Sequence, residues 1–384
     1  MGVKVVPVRG KKDLNKFIKF PWKIYRDDPN WVPPLLMEIK SRLDKKKNPL
    51  FSHVDAEYFL AYKDGTLAGR ITAHIDHLYN ETWNEKSGFF GFFESINDEE
   101  VARALFEEVE KWHRSRGMER VMGPFEFNTN DECGLLIEGF DTPPMIMMPH
   151  HKPYYKELIE KQGYRKIKDL VAYIFRRDDK ELMEKLEKVL KRIKSNAEWA
   201  MRNGFTVRPI NLKNFYPEVE RLKEIYNEAW SKNWGFVPFT EEEFIELAKG
   251  LKLLADPELA PIAEYARPDG TKEPAGFALV LPDANQIFKE IDGKLFPFGF
   301  VKLITGLKKI KRGRLLTLGV KHKFHKKGVD SLLYYQIFTK ALEKNYEAVE
   351  ASWILEDNMQ MRKPIEFMGG KVYKTYRIFV KNLK

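Results

Sequence analysis

The chain has 384 residues, of which 66 are basic and 56 acidic, so its formal net charge is +10. Hydrophobic residues make up 43% and aromatic residues 13%, which is enough for two folded domains of ordinary size. No apolar run reaches the roughly 18 residues of a membrane-spanning helix, and the N-terminus lacks the pattern of a signal peptide. The composition therefore argues against disordered, fibrous and membrane-spanning proteins.

The single cysteine, Cys133, excludes internal disulfides and indicates a reducing compartment. We therefore expect a cytoplasmic protein. No histidine or cysteine spacing is typical of a zinc site, so we expect no metal. Lysine and glutamate are abundant and glutamine is scarce, which favours a thermophilic source.

The first half of the chain predicts one module of strands and helices. An Asp-Gly turn at Gly65 joins two strand patterns, and Asp98 precedes an apolar-periodic helix as a typical N-cap. In chain order we predict strands at 58–62, 67–73, 89–93, 120–125 and 168–176, and helices at 98–116 and 154–162.

An amphipathic helix is predicted at 179–203, and the second half then repeats the plan of the first. Two segments with tryptophan and proline, 25–35 and 230–239, stand at similar places in the two halves. They would line a cleft or form rigid packed turns. The next predicted elements are a strand at 205–210, helices at 215–230 and 241–254, and strands at 259–266 and 275–281.

An insertion follows at about 282–313. Its part from 295 to 312 combines phenylalanines, an apolar stripe and many lysines, which is typical of a segment that lies at a membrane surface. The alternative is a lid helix that packs on the protein itself. In either case the insertion could cover a binding site. If the segment lies at a membrane surface, we expect the cytoplasmic protein to contact the inner face of the membrane peripherally.

The last seventy residues carry the most specific pattern. A strand at 315–320 leads into a basic turn that contains His325 and Gly328, and a helix follows at 331–343. A strand at 349–354, the polar run to Asn358, a short helix ending at Gly369 and a strand at 373–380 complete the chain. A glycine turn between a strand and a helix presents free backbone N–H groups and the positive helix end to a pyrophosphate.

This order resembles the Gcn5-related N-acetyltransferase (GNAT) superfamily. The resemblance implies an α/β fold of two tandem modules, each a mixed, mainly antiparallel sheet flanked by helices. We place the N-terminal module at 1–178, a linker helix at 179–204 and the C-terminal module at 205–384. The whole-chain pattern is also similar to acyltransferases of the bacterial ceramide-synthase type.

The resemblance implies an acyl-CoA-dependent N-acyltransferase that uses acetyl-CoA or a longer acyl-CoA and a small-molecule or lipid amine as acceptor. The catalytic candidates are Glu350 and Glu356 as bases and Asn358 as an orienting group. The donor site implied by the resemblance contains Leu318, Val320, His325, Lys326, Lys327, Gly328, Val329 and Asp330. In the first module, residues 95–98 replace the glycine turn with an acidic sequence, so we expect no donor site there.

Two departures from the family pattern support a second hypothesis. Asp330 places a negative charge in the first helical turn, and Ile365 stands where the family has a tyrosine. A degenerate module that binds CoA or a partner without turnover would tolerate both. A third hypothesis is nucleic-acid binding through the run from Lys302 to Lys327, which holds ten lysines or arginines and no acid. Only one aromatic residue interrupts that run, which argues against base stacking.

Overall fold

Mostly antiparallel strands flanked by helices form both halves of the chain in this computed structural model, which describes residues 2–383. The chain divides into two units. The first contains residues up to Leu170, the segment Phe288–Phe300 and residues from Lys374 onward, and the second contains Val171–Ile287 and Val301–Tyr373. The predicted fold class is confirmed, whereas the module boundaries at 178 and 204 stay a prediction.

The strands, in chain order, are β1 (Val3–Pro7), β2 (Val54–Lys63), β3 (Thr66–Asp76), β4 (Ser87–Ser95), β5 (Arg120–Gly123), β6 (Leu135–Glu138), β7 (Arg165–Arg176), β8 (Phe205–Pro209), β9 (Pro261–Ala266), β10 (Lys272–Pro282), β11 (Arg312–Val320), β12 (Ala348–Leu355) and β13 (Lys371–Asn382). The helices are α1 (Gly10–Ile24), α2 (Leu36–Arg42), α3 (His77–Trp83), α4 (Glu99–Arg114), α5 (Tyr155–Lys161), α6 (Lys180–Arg202), α7 (Phe215–Trp230), α8 (Glu241–Lys252), α9 (Asn285–Glu290), α10 (Gly299–Leu307), α11 (Val329–Glu343) and α12 (Met359–Phe367).

The sheet of the first unit has the order β1-β2-β3-β4-β5 followed by β13, and β6 also pairs with β13. The pair β4–β5 is parallel, whereas the pairs β1–β2, β2–β3, β3–β4, β5–β13 and β6–β13 are antiparallel. Helix α4 begins after Asp98, whose carboxylate accepts the backbone N–H groups of Glu100 at 3.0 Å and Val101 at 3.2 Å. This confirms the predicted N-cap. The buried face of α4, with Leu105 and Phe106, packs in the core of this unit.

The sheet of the second unit has the order β7-β12-β11-β10-β9-β8. Strands β8 to β11 pair antiparallel, whereas β11 and β12 are parallel. Alternate residues of a strand point to opposite faces of the sheet, and Ile262 and Phe277 pack with Ile225 of α7. Ala263 and Val280 belong instead to the core that contains α11. Helices α7 and α11 therefore cover opposite faces of this sheet.

The elements predicted with strong periodicity agree with the structure. The helix expected at 98–116 is α4, and the one expected at 179–203 is α6. The insertion lies between β10 and β11 and contains the helices α9 and α10. The helices α1 to α3 and the strand β6 were not predicted. Helices α2 and α3 have seven residues each and β6 has four, which is too few to show a clear period. Helix α1 has fifteen residues and buries Phe17, Ile18 and Pro21, so its period was present in the sequence and was missed.

Leu333→Ala tests the packing of α11. Leu333 is fully buried in the core of the second unit, so its truncation should lower the free energy of unfolding by about 2–5 kcal/mol. Leu253→Ala is the matched control, because Leu253 is half exposed and should change stability by no more than about 0.5 kcal/mol. Urea unfolding followed by circular dichroism measures both. Equal losses in the two variants would contradict the assigned core.

Candidate active site

Strands β11 and β12 diverge and leave a wedge-shaped gap, called the wedge below, in the sheet of the second unit. Their parallel register joins Arg312–Leu315 to Ala348–Ala351, and in the described part of the chain the pairing goes no further. The strands themselves continue to Val320 and Leu355. A bulge in the pairing of β11 with β10 falls at Leu316, at the point where the wedge opens. Bulges of this kind redirect a strand and end its pairing.

The equivalent parallel pair of the first unit stays closed. The register of β4 and β5 ends at Phe89 and Met122, but the backbone N–H of Phe125 then donates to the carbonyl of Phe90 at 2.8 Å. Gly91 allows this approach, because a Cβ atom built there would lie 1.8 Å from the carbonyl oxygen of Phe125. The expectation that the first module holds no donor site stays a prediction.

The turn at the wide end of the wedge leads into an uncapped helix. Helix α11 begins at Val329 after Gly328, and no side chain caps it. The first backbone N–H groups of a helix have no helical partner, so they are available to an anion. Lys326 and Lys327 are exposed beside them, as is Asp330 in the first turn. Free amides and lysines fit a pyrophosphate, and the exposed carboxylate of Asp330 weakens that fit.

Gly328 and His325 have structural roles in this turn. Gly328 has a φ of 73°, and a Cβ atom there would lie 2.9 Å from the carbonyl oxygen of Asn196 in α6. The glycine is therefore required by its conformation and by the packing of α6. His325 donates its Nε2–H to the carbonyl of Val320 at 2.9 Å, which ties the turn to the end of β11.

Several lysines of the basic run from Lys302 to Lys327 make contacts within the protein and do not simply extend into solvent. Lys321 is buried and pairs with Glu224 of α7, while Lys323 pairs with Glu273 of β10. The Lys311 ammonium donates to the carbonyl of Lys344 at 2.9 Å. Besides Lys323, five lysines of the run are exposed in two groups, one in the insertion and one in the turn: Lys302, Lys308, Lys309, Lys326 and Lys327.

A buried cluster of polar side chains lies at the narrow end of the wedge. Glu350 is fully buried and stands opposite Arg314 in the register of β12 and β11, with 3.7 Å between its Oε1 and the Arg314 Nε. The hydroxyls of Ser352 and Tyr373 both donate to the Glu350 carboxylate. Arg314 also donates to the Ser352 hydroxyl at 2.8 Å and to the Ser352 carbonyl at 3.1 Å.

This cluster, Arg314, Glu350, Ser352 and Tyr373, is called the Glu350 cluster below. Leu315 and Ala351, the neighbours of Arg314 and Glu350 in sequence, pack on the side of α11. Because side chains alternate along a strand, Arg314 and Glu350 face the side of the sheet covered by α7. The Glu350 cluster therefore lies on the face opposite α11, at the point where the two strands separate.

The other two catalytic candidates lie apart from this cluster. Glu356 is partly exposed just beyond β12, and its backbone carbonyl accepts a hydrogen bond from Arg362 at 2.6 Å. The Asn358 side chain caps α12 by accepting the N–H of Met361 at 3.3 Å. Ile365, at the position expected for a tyrosine, is buried in the core. A different phenol, that of Tyr373, contacts the buried carboxylate.

The sequence prediction missed Arg314, Ser352 and Tyr373. A usable pattern was present, because Arg314 and Glu350 are charged residues inside mainly apolar strands. Polar residues inside such strands are normally buried only with a partner. The register that joins them depends on tertiary pairing, which the sequence pattern does not specify.

An apolar pocket, partly open to solvent, lies beside the wedge in the second unit. The first turns of α6, the middle of α11 and β12 form its walls. Leu315 and Ala351, the last paired residues before β11 and β12 separate, are among its lining residues. Other lining residues are Leu182, Leu186, Ile337 and Phe338.

The first unit contains residues 25–35, the first of the two segments that were predicted to line a cleft or form a rigid turn. Tyr25 and Trp31 stack with their ring centroids 5.2 Å apart. The insertion residues of this unit contact the residues on either side of this segment: the Trp22 indole donates to the Asp292 carboxylate at 2.7 Å, and the Leu36 N–H donates to the Gly293 carbonyl at 3.0 Å.

Neither a metal centre nor a membrane-spanning helix is found in residues 2–383. No group of three or more histidine, cysteine, aspartate or glutamate side chains in these residues is placed to hold a metal ion. No helix among them is both long and apolar enough to cross a membrane.

The fold is that of a tandem GNAT protein. The chain superposes over its full length on a tandem GNAT protein from the clavulanic acid biosynthesis pathway, with a TM-score of 0.59, 11% identity and 99% coverage of that chain. No known protein-family model matches the chain.

Two relatives match the sequence along nearly its whole length. Protein YghO of Escherichia coli (strain K12) is 40% identical over 379 residues, which cover 97% of this chain and 94% of that protein. The bacterial ceramide synthase of Caulobacter vibrioides (strain NA1000 / CB15N) is 38% identical over 387 residues, which cover 99% of this chain and 97% of that protein. The chain belongs to the family of these two proteins, and fold and family together support acyl transfer as the general reaction.

Arg314→Met tests the charge balance of the Glu350 cluster. Without the guanidinium the Glu350 carboxylate stays buried with no cation beside it, so stability should fall by about 3–5 kcal/mol. The double variant Arg314→Met with Glu350→Met removes both charges and should be more stable than the single variant. Urea unfolding of the three proteins measures this. A single variant as stable as the unchanged protein would contradict the pairing.

Proposed function

We propose that this protein is an acyl-CoA-dependent N-acyltransferase that transfers a fatty acyl group to a long-chain amine. The observation that carries the proposal is the wedge between β11 and β12, with the buried Glu350 carboxylate at its narrow end and an uncapped helix at its wide end. The name of the Caulobacter relative, bacterial ceramide synthase, supports a lipid amine as acceptor.

The donor would lie along the wedge. The amides at the start of α11, from Val329, with Lys326 and Lys327 beside them, would hold the pyrophosphate. The backbone from Leu318 to Val320 would then polarise the thioester carbonyl, since this part of β11 lies beyond its pairing with β12.

The acceptor would approach from the α7 face of the sheet, where the Glu350 cluster lies. In the reaction the amine nitrogen forms a bond to the thioester carbon, the C–S bond breaks, the amine loses a proton and the thiolate gains one. Glu350 would accept the amine proton, and the Tyr373 phenol would supply a proton to the thiolate. Arg314 would compensate the charge of the carboxylate and fix its orientation.

The apolar pocket supports a long acyl chain. Leu315 and Ala351, which end the paired part of β11 and β12, line this pocket, so an acyl chain that passes the narrow end of the wedge would reach it. Burying methylene groups is favourable by about 0.8 kcal/mol each, which would favour a fatty acyl donor over acetyl-CoA.

A CoA-binding protein without turnover is the second candidate. The exposed carboxylate of Asp330 and the buried Ile365 favour it. The two candidates differ in whether free thiol is released when both an acyl-CoA and an amine are present.

Glu350→Gln tests the catalytic assignment. With palmitoyl-CoA and a long-chain amine, kcat should fall by about 10²–10⁴-fold, because an amide cannot accept the amine proton. Glu356→Gln is the matched control and should retain activity within a few-fold. Free-thiol release measures the rate, and circular dichroism checks that each variant is folded. Full activity in Glu350→Gln would remove Glu350 as the base, and no thiol release by the unchanged protein would favour the CoA-binding candidate.

Charge changes in the turn test the donor site. Lys326→Glu with Lys327→Glu should weaken binding of palmitoyl-CoA by about tenfold or more, whereas Asp330→Asn should tighten it by about two- to fivefold, since charges at a helix N-terminus contribute about 0.3–1 kcal/mol each. Lys363→Glu changes an exposed lysine of α12 and serves as the control. Isothermal titration gives the dissociation constants. Weaker binding in Asp330→Asn would place the pyrophosphate elsewhere.

A further inference from the structure

The insertion exposes large apolar side chains to an unusual degree. In residues 296–309, called the aromatic segment below, Phe296 is 77% exposed, Phe298 is 74% exposed and Val301 is 59% exposed. Phe300 and Ile304 are also exposed. Single exposed apolar residues are ordinary on protein surfaces, but five within nine consecutive residues form a patch of the kind that marks an interaction surface.

Helix α10 carries part of this patch, and its opposite side packs against the rest of the protein. Leu303 is buried, and Gly306 lies against the Ile287 side chain. Residues three and four apart share one side of a helix, so the side away from Leu303 and Gly306 presents Val301 and Ile304. The apolar stripe predicted in this segment consists of Phe300, Leu303, Ile304 and Leu307, but Phe300 and Ile304 are exposed while Leu303 is buried.

The charges around the aromatic segment have one sign. Lys302, Lys308 and Lys309 are exposed, and among residues 2–383 none of the three forms an ion pair. From Lys302 to Lys327 the chain contains no acidic residue. A surface of aromatic rings beside lysines complements a layer with an apolar interior and anionic head groups.

We propose that the aromatic segment docks this protein on the surface of an anionic lipid bilayer. Phe296 and Phe298 would enter the interfacial layer with the exposed side of α10, and Lys302, Lys308 and Lys309 would contact lipid phosphates. A second copy of the chain fits less well, because a symmetric interface through this patch would bring the same lysines of both copies together. The proposal does not rest on the proposed acyl transfer, since binding needs no substrate.

Sedimentation with lipid vesicles tests the proposal on the full chain. The protein should bind vesicles in which phosphatidylglycerol replaces part of the phosphatidylcholine, and should bind vesicles of phosphatidylcholine alone at least tenfold more weakly. Phe296→Ser with Phe298→Ser should reduce binding to the anionic vesicles at least tenfold. Lys302→Gln with Lys308→Gln and Lys309→Gln should reduce it by a similar factor and remove most of its salt dependence.

Tyr216→Ser is the matched control, because Tyr216 is an exposed aromatic residue outside the aromatic segment. It should leave vesicle binding unchanged. All the substituted residues are exposed, so the variants should fold, which circular dichroism checks. Absence of binding to anionic vesicles, or equal binding by Phe296→Ser with Phe298→Ser, would overturn the proposal. So would light scattering that shows a dimer lost in that variant without any vesicle binding.

Discussion

The separation of β11 from β12 is the constraint on which the candidate active site depends. Two parallel strands that pair over four residues and then part leave backbone groups of the sheet interior available to a ligand. In the first unit the corresponding parallel pair, β4 and β5, stays together through the hydrogen bond from the Phe125 N–H to the Phe90 carbonyl, and Gly91 allows that contact. The two units share a plan, and this difference in pairing is the reason that we propose a donor site in the second unit.

The Glu350 cluster stabilises the narrow end of the wedge, because its hydrogen bonds and ion pair join β11 to β12 there. A carboxylate that is fully buried is costly unless its charge is compensated and its oxygens are hydrogen-bonded. Arg314, Ser352 and Tyr373 meet both requirements. The same contacts fix the direction of the carboxylate on the α7 face, and on this geometry we propose Glu350 as the general base for an incoming amine.

Local patterns predicted much of the fold, and tertiary pairing explains what they missed. Asp98 and the long helices α4 and α6 follow from capping and periodicity, which act within one segment. Gly328 was identified as a turn residue, but the contact of this glycine with Asn196 depends on where α6 packs. Tyr373 could not be connected with Glu350, because residues on separate strands meet only through the register of the sheet. The exposure of Phe300 and Ile304 likewise depends on which side of α10 the rest of the protein covers.

Hydrogen–deuterium exchange with and without a non-hydrolysable thioether analogue of palmitoyl-CoA tests the central claim most directly. The wedge account predicts that the analogue slows exchange at the amides of residues 316–320 and 326–331, which would contact the thioester and the pyrophosphate. It also predicts slower exchange along α11 around Ile337, where the acyl chain would fill the pocket. Unchanged exchange in β11 and in the turn, together with protection in the first unit, would contradict the account.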